Sequence, residues 1–315
     1  MTIVVFGSIN MDLVARTPRL PQSGETIVGY DFTTIPGGKG ANQAVAAARL
    51  GATVEMVGRV GGDRFGKALR ESLQAAGVGC DRIMTDSGSS SGVALIEVEE
   101  GGENHIIIVP GANGRVNAED VSRMQPDLQK AKLLLLQLEV PLDAVIAAAQ
   151  SAQKAGVTVM LDPAPASTTL PNELLAEVDI LTPNKVEASQ LVGFSVENLE
   201  DAEKAAIALQ KRGVRDVIIK LGGQGTLTAT PEGTIHTPAF PVQAIDTVAA
   251  GDAFNGGLAT ALSDGRSLQD ALTWGTATAA LSVTQRGAQS SMPTQTELHQ
   301  FFNAHELTLH RPDSK

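Results

Sequence analysis

The segment Asp246-Thr-Val-Ala-Ala-Gly-Asp252 carries the clearest chemical signal in this 315-residue sequence. A strand is predicted to end near Asp246 and a helix to begin near Asp252. Ala249, Ala250 and Gly251 would then lie at the helix N-terminus, where unpaired N–H groups and the positive end of the dipole form an anion site. A carboxylate at position 252 would lie beside the bound anion, where it is suited to accept a proton from a group that attacks the anion. The alternative is an Asp that only caps the helix.

A second segment, Pro36-Gly-Gly-Lys39-Gly-Ala-Asn42, is rich in glycine and leads directly into an Ala-rich helical pattern. It is not a Walker A loop, because Gly40 stands where Ser or Thr would follow the lysine. Lys39 and Asn42 precede a helix that can pack closely on a sheet, so both could face a small polar ligand. The alternative is a flexible turn.

Acidic and amide side chains also stand where two predicted strands end. Asn10 and Asp12 follow the first apolar run, and Glu139 follows a Leu-rich run. Singly, each is as well explained as a turn residue. Together they supply hydroxyl-binding groups around one crevice, which suits a polyol.

Two further segments favour a nucleotide and its metal ion. Asn184 and Glu187 stand three residues apart at a predicted helix start, as in a capping box, but their oxygens also suit Mg²⁺ or its waters. Lys220-Leu-Gly-Gly-Gln-Gly225 follows another apolar run, and its glycines would let the backbone approach a flat base or phosphates. The alternative for this segment is a hairpin turn.

The elements that must position these residues alternate between apolar strands and amphipathic helices, which indicates a parallel sheet with helices on both faces. The predicted strands are Ile3–Gly7, Thr53–Val60, Lys132–Leu138, Val157–Leu161, Val178–Thr182 and Asp216–Leu221. Helical spacing is clearest within residues 41–48, 142–149, 202–209, 252–262, 268–284 and 294–304.

Two insertions, 12–34 and 91–109, have a period closer to two and predict a small antiparallel sheet outside the parallel core. The expected fold class is therefore α/β, with three α/β/α layers and a small β-sheet beside them. Residues 1–305 are expected to form one domain. The polar tail, 306–315, is expected to be disordered.

Composition excludes several classes of protein. The net charge of −11, from 24 basic and 35 acidic residues, disfavours nucleic acid and anionic membranes as partners. The single cysteine, Cys80, excludes an internal disulfide and fits a reducing compartment. No apolar run reaches the roughly 18 residues of a membrane span, and the N-terminus does not resemble a signal peptide. A cytoplasmic location is expected.

Two other patterns are set aside. Gly88-Ser-Ser-Ser-Gly92 matches the G-x-S-x-G pattern of serine hydrolases, but a strand pattern follows where a nucleophile elbow needs a helix. The five histidines show no metal-ligand spacing, and no G-x-G-x-x-G is present.

Taken in order, six motifs resemble the ribokinase family of carbohydrate kinases, and the resemblance runs from Ile3 to about Ala304. The motifs are Gly7-Ser-Ile-Asn-Met-Asp12, Gly37-Gly-Lys-Gly-Ala-Asn-Gln-Ala44, Gly111-Ala-Asn113, Asp162-Pro-Ala-Pro-Ala166, Thr182-Pro-Asn184 and Asp246-Thr-Val-Ala-Ala-Gly-Asp252. The resemblance implies a three-layer domain whose small sheet, 12–34 and 91–109, forms a lid that often joins two subunits.

The resemblance also implies roles for individual residues. The residues implied to hold the sugar are Asn10, Met11, Asp12, Gly38, Lys39, Gly40, Ala41, Asn42, Glu139 and Asp252. Those implied to line the ATP site are Asn184, Lys220, Leu221, Gly222, Gly223, Gln224, Gly225, Gly251, Asp252 and Thr276. Glu187 is implied to hold Mg²⁺ through water. A monovalent cation such as K⁺ is implied at Asp246, Val248, Ser282, Gln285, Gly287 and Ser291, partly through backbone carbonyls.

The activity that the resemblance implies is phosphoryl transfer from ATP to O5 of D-ribose, giving ribose 5-phosphate. Asp252 would take the hydroxyl proton, and the amides of residues 249–251 would stabilise the developing charge. A homodimer joined through the lid is expected. Two alternatives stay open: another sugar or a nucleoside as acceptor, and a non-catalytic sugar-binding protein on the same scaffold.

Overall fold

Two β-sheets organise the chain in this computed structural model, which describes residues 2–101, 104–165 and 169–307. The larger sheet has nine strands in the order β13-β12-β11-β10-β9-β8-β1-β4-β5, and the smaller has four in the order β3-β2-β6-β7. The strands are β1 Thr2–Phe6, β2 Asn10–Thr17, β3 Asp31–Gly37, β4 Thr53–Gly61, β5 Gly79–Asp86, β6 Gly92–Glu99, β7 Asn104–Val109, β8 Ala131–Leu136, β9 Thr158–Leu161, β10 Ile180–Leu181, β11 Asp216–Lys220, β12 Thr226–Thr230 and β13 Gly233–Thr237.

Helices cover both faces of the large sheet, so the predicted three-layer α/β/α class is confirmed. They are α1 Lys39–Arg49, α2 Arg64–Ala75, α3 Ala118–Leu128, α4 Leu142–Lys154, α5 Asn172–Leu175, α6 Lys185–Val192, α7 Leu199–Gln210, α8 Ala250–Ser263, α9 Leu268–Ser282 and α10 Gln295–Ala304.

The two faces of the large sheet form two separate cores, because successive strand residues point to opposite sides. Val4 and Leu134 pack with α3, α4, α6 and α7 on one face. Val5 and Leu135 pack with α1, α2, α8, α9 and α10 on the other. Each fully buried aliphatic side chain contributes roughly 1.5–3 kcal/mol relative to exposure. The central strands are therefore buried on both sides, as their unbroken apolar runs predict.

The small sheet is mixed rather than antiparallel. Within each insertion the strands are antiparallel, β2 with β3 and β6 with β7, but β2 pairs with β6 in parallel. The two insertions are far apart in sequence, so no hairpin turn constrains how they meet. The expectation of a purely antiparallel sheet was wrong at this one pairing.

Several predicted elements change in the structure. The predicted strand 178–182 keeps only Ile180–Leu181, and no strand precedes Asp246, since residues 238–247 are irregular. The hairpin alternative for 220–225 is correct, because β12 returns antiparallel to β11 across a short 3₁₀ turn at Gly222–Gln224. Strand β6 follows residues 88–92, where a nucleophile elbow would need a helix, so this segment is not the nucleophile elbow of a serine hydrolase.

Within the described residues, none of the helices has the length and apolarity that crossing a bilayer requires. Most of the predicted disordered tail, residues 308–315, lies outside the described part of the chain, as do Ala166 of the Asp162 motif and His310.

Candidate active site

The polar residues singled out from the sequence gather at the carboxyl edge of the parallel strands, where open α/β sheets bind ligands. Glu139 follows β8 and Asp162 follows β9. Asn184 follows β10, and Lys220 ends β11. The helices α1 and α8 add side chains from the same end of the sheet.

Asp252 lies in the first turn of α8 and is buried, with 4% of its surface exposed. Its Oδ2 accepts a hydrogen bond from Asn42 Nδ2 at 3.0 Å, and its Oδ1 accepts one from Gln43 Nε2 at 3.0 Å. The N-cap of the helix is Ala249, with φ 57°. The capping alternative for Asp252 is therefore wrong, since its carboxylate faces α1.

The start of α8 leaves backbone amides available to an anion. The N–H groups of Gly251 and Asp252 have no acceptor among the residues that the structure describes. The Ala250 N–H, which the sequence placed with them, donates to Thr247 O at 3.3 Å. Ala249 adopts a left-handed conformation that costs an L-residue about 1–3 kcal/mol. The anion site therefore lacks the predicted N–H of Ala250, which is already bonded, and gains the N–H of Asp252.

Lys39 supplies a positive charge to the crevice. Burial opposes its charge, but four surrounding carboxylates outweigh burial and raise the pKa of the ammonium. These carboxylates are Asp252, Asp162, Glu139 and Glu187. The backbone N–H of Lys39 also donates to Glu139 Oε2 at 3.0 Å, and Ser8 Oγ donates to the same oxygen.

The Asp12 carboxylate receives no hydrogen bond from any residue in the described ranges, so it is available to a ligand hydroxyl. Burial, and then the charges of Glu139 and Asp252, raise the pKa of Asp12 from 3.8 to about 7. A Cβ on Gly37 would lie 2.3 Å from Asp12 Oδ2, which explains why glycine stands opposite this carboxylate.

The remaining predicted sugar residues divide into two groups. Asn10 is buried and its Oδ1 accepts a hydrogen bond from Asn113 Nδ2 at 2.7 Å. Gly38 has φ 90°, and a Cβ there would lie 2.7 Å from the backbone N of Asn10. In contrast, the side chains of Met11 and Ala41 lie in the apolar core, so only their backbone could reach a ligand.

An open cavity of about 470 Å³ lies on the other side of Gly251. Six of the residues predicted to bind ATP line it: Lys220, Gly222, Gly223, Gly225, Gly251 and Thr276. The other four do not line it: Asn184 and Asp252 lie elsewhere, Leu221 is buried in the core, and Gln224 lies in an exposed turn. No sequence motif predicted the apolar wall that completes the cavity, which includes Phe240, Pro241, Val242 and Phe254.

Asn184 and Glu187 form a capping box at the start of α6, which was the structural alternative to a metal-binding role. Glu187 Oε2 accepts from the Asn184 N–H at 2.7 Å, and Asn184 Oδ1 accepts from the Glu187 N–H at 2.9 Å. Glu187 is nevertheless buried against the crevice, where burial and Asp162 raise the pKa of its carboxyl and Lys220 opposes this. Capping leaves Glu187 Oε1 free to contact a hydrated ion.

Asp162 and Gln43, for which no role was predicted from the sequence, connect the two sides of the site. Asp162 Oδ1 accepts from Lys220 Nζ at 2.9 Å, and its Oδ2 accepts from Gln43 Nε2 at 2.9 Å. Asp162 directly follows a buried strand, the same signal that identified Glu139. Gln43 carried no such signal.

The residues of the expected cation site are partly brought together. Asp246 Oδ1 accepts from the Val248 N–H at 3.0 Å, and its Oδ2 accepts from the Gly287 N–H at 2.9 Å. Ser282 O accepts from the Gln285 N–H at 3.1 Å. Ser291 Oγ donates to Ala288 O instead of facing Asp246. The oxygen ligands that these residues could provide are one carboxylate and backbone carbonyls, which suit a weakly held cation.

Arg49, at the end of α1, is a further residue of the site that no sequence pattern predicted. Its Nη1 donates to three carbonyls of the loop that carries Ser291, those of Gln289, Ser290 and Met292. Arg49 therefore ties this loop to the helix that carries Lys39.

The chain is similar in sequence and fold to known carbohydrate kinases. A family model described as pfkB family carbohydrate kinase matches residues 1–295. A ribokinase of Haemophilus influenzae is 43% identical over 300 residues, covering 95% of this chain and 98% of that protein. A deoxyribokinase of Salmonella typhi is 37% identical over 306 residues, covering 97% of this chain and all of that protein.

A solved structure, Arabidopsis thaliana ribokinase complexed with ribose and ATP, superposes with a TM-score of 0.89. It is 36% identical, and the match covers 95% of this chain and 97% of that chain.

The raised pKa of Asp12 predicts a pH-dependent effect on stability. Because the folded state binds the proton more tightly than the unfolded state, the ionised carboxylate destabilises the fold increasingly between pH 3.8 and about 7. We expect Asp12→Asn to raise the melting temperature above pH 7 and to leave it unchanged below about pH 4. Asp81→Asn, at an exposed carboxylate, is the control. An equal gain at every pH would contradict the assigned cause.

Proposed function

The chain belongs to the pfkB family of carbohydrate kinases and is a ribokinase-like sugar kinase, and we propose that it transfers the terminal phosphoryl group of ATP to O5 of D-ribose. The single buried Cys80 fits the reducing cytoplasm, where we place this reaction.

One observation carries the proposal: the carboxylate of Asp252 and the free amides of Gly251 and Asp252 stand at the boundary between two different sites. Polar side chains from α1 and β2 lie on one side, and the apolar cavity bordered by Gly251 lies on the other. A phosphate and a hydroxyl that meet at this boundary would have a base on one side and backbone donors on the other.

The sugar would bind through groups that have free hydrogen-bonding capacity toward the crevice. Asp12 and Glu139 would accept hydrogen bonds from sugar hydroxyls, while Lys39 and Asn42 would donate to sugar oxygens. Gly38, Gly40 and the backbone of Met11 and Ala41 would form the floor, with Asn10 beside them. Asp252 would orient the O5 hydroxyl and take its proton as the bond to phosphorus forms. Burial raises the pKa of Asp252, which favours proton uptake.

The nucleotide would place its base against the apolar wall near Phe240 and Thr276 and its phosphates over Gly222–Gly225 and Gly251. Lys220, whose Nζ lies near Gly251, would contact the phosphates. Structures of relatives contain ATP or ADP.

Two ions belong to the proposal: Glu187 fits Mg²⁺, and the residues predicted for a monovalent cation are partly brought together around Asp246. Mg²⁺ keeps most of its ligands as water and phosphate oxygens, so the single carboxylate of Glu187 beside the crevice is sufficient protein support. When bound, Mg²⁺ neutralises phosphate charge. A monovalent cation such as K⁺ would lie by Asp246 and the carbonyls of Val248, Ser282, Gln285, Gly287 and Ser291, next to the amides of α8.

The small sheet would act as a lid over the sugar and as the contact between two copies of the chain. Asp12 on β2 pairs with Ala94 on β6, which pairs with Ile108 on β7, so one face of the sheet looks toward the sugar side. The opposite face exposes Ile107 and Phe32, with 61% and 63% of their surfaces accessible. An uncovered apolar face of this kind fits a second copy.

Deoxyribose is the second candidate acceptor, because deoxyribokinase relatives match over the full length at 37% identity. We expect an ADP-release assay to give the highest kcat/KM with ribose among ribose, deoxyribose, fructose and adenosine. NMR of the product would locate the phosphate at O5. A preference for deoxyribose would favour the second candidate. If no acceptor caused ADP release, the kinase proposal would be rejected in favour of a non-catalytic sugar-binding protein.

Replacing the proposed base tests the mechanism. We expect Asp252→Asn to lower kcat at least about 10²-fold, since general-base catalysis contributes roughly 10²–10⁴-fold. Ribose should still bind in calorimetry. Asp264→Asn, at the exposed C-terminal end of the same helix, is the matched control and should keep its activity. Near-normal turnover in Asp252→Asn would refute the assignment.

The proposed dimer is tested by a charge on the outer face of the lid. We expect the unmodified chain to have twice its 32.7 kDa mass in light scattering, and Ile107→Asp to have the mass of one chain. Ile207→Asp, on the exposed side of α7, should stay dimeric. A dimeric Ile107→Asp would exclude this face as the contact.

A further inference from the structure

Gln43 lies at the centre of a buried hydrogen-bond network that joins the two sides of the site. Its side chain is fully buried. Its Nε2 donates to Asp252 Oδ1 at 3.0 Å and to Asp162 Oδ2 at 2.9 Å, and its Oε1 accepts from Gln137 Nε2 at 2.7 Å. Asp162 in turn accepts from Lys220 Nζ. A continuous path of hydrogen bonds therefore runs from Asp252 to the lysine beside the nucleotide cavity.

The two donors of the Gln43 amide are both used, and both acceptors are carboxylates. The reverse orientation of the amide would point its oxygen at Asp162 and Asp252, which repel it, and would leave Gln137 facing an NH₂ group. Gln43 therefore has one favourable orientation. No apolar or acidic residue of similar size could bridge these two carboxylates.

We propose that Gln43 is the positioning residue for Asp252: its hydrogen bond fixes the carboxylate in one rotamer and ties it, through Asp162, to Lys220 on the nucleotide side. The proposal rests on the proposed function for the view that Asp252 accepts a proton. The network itself does not depend on which sugar binds.

The charged groups around Asp252 come from several elements. Lys39 on α1 faces it, Asp162 after β9 opposes it, and Asp12 on β2 lies within electrostatic range. Burial raises the pKa of Asp252, Lys39 lowers it, and Asp162 raises it, while the hydrogen bonds from Asn42 and Gln43 lower it further. Loss of the Gln43 donor removes a contribution that favours the ionised form, so the pKa of Asp252 must rise.

Gln43→Met tests the proposal, since methionine keeps the volume and removes both donors. Loss of a hydrogen bond to a charged group predicts kcat about 10- to 100-fold lower at pH 7. The acid limb of the kcat profile should move up by about one pH unit, with the KM for ATP within about threefold because Gln43 does not line the nucleotide cavity. Raising the pH should recover part of the lost kcat.

Gln153→Met is the matched control. Gln153 lies on α4, away from the site, and its Nε2 also makes two hydrogen bonds, one to the backbone carbonyl of Glu177 and one to the carboxylate of Asp179. This substitution should lower the melting temperature without moving the pH profile. Should Gln43→Met not fold, Gln137→Met, which removes only the support of Gln43, should shift the profile in the same direction by less.

A measurement that needs no turnover separates this proposal from the proposed function. Carboxyl ¹³C NMR, with the Asp252 resonance identified by its loss in Asp252→Asn, should show Asp252 titrating at higher pH in Gln43→Met. An unchanged titration would overturn the positioning role, whatever the activity. A shifted titration in a chain that phosphorylates no sugar would support the role and reject only the kinase assignment.

Discussion

Carboxylates are concentrated at the carboxyl edge of the sheet, and their mutual repulsion has to be balanced by two lysines. Asp252, Asp162, Glu139 and Glu187 all act on Lys39, and Lys220 pairs with Asp162. Buried charges are costly unless they are paired and hydrogen-bonded. The cluster therefore has the character of a binding site rather than of a stabilising core: its unsatisfied capacity, above all at Asp12, is available to a ligand.

The balance depends on how α1 meets α8. Lys39, Asn42 and Gln43 have the spacing i, i+3 and i+4, so they lie on one face of α1 toward Asp252. The helices approach closely because a Cβ on Gly256 would lie 2.4 Å from Ala46 Cβ and 3.1 Å from Gln43 O. A larger residue at Gly256 would push the helices apart and lengthen the hydrogen bonds to Asp252. Small residues in the helix contact thus set distances in the site.

Local sequence signals predicted the parts of the fold and the site that depend on neighbouring residues. The central strands, Lys39, Glu139 and Asp252 follow from apolar runs and from what stands directly after them. The parallel pairing of β2 with β6 and the apolar cavity wall near Phe240 depend on contacts between distant segments, so no local pattern encodes them. Asp252 as an N-cap was a wrong alternative because the tertiary contact with Asn42 and Gln43 outweighs the capping preference. Asp162 could have been found, since it follows a buried strand as Glu139 does.

The net charge of −11 is compatible with nucleotide binding because the potential at the site is set by the nearest groups. At physiological ionic strength, exposed charges are screened beyond about 8 Å. Near Gly251 the closest groups are free backbone amides and Lys220, which forms an ion pair with Asp162, whereas four carboxylates act together on Lys39. The start of α8 therefore separates a region that stabilises phosphate charge from one that attracts protons. This division is what transfer from a phosphate to a hydroxyl requires, and Gln43 and Asp162 keep the two regions in a fixed relation.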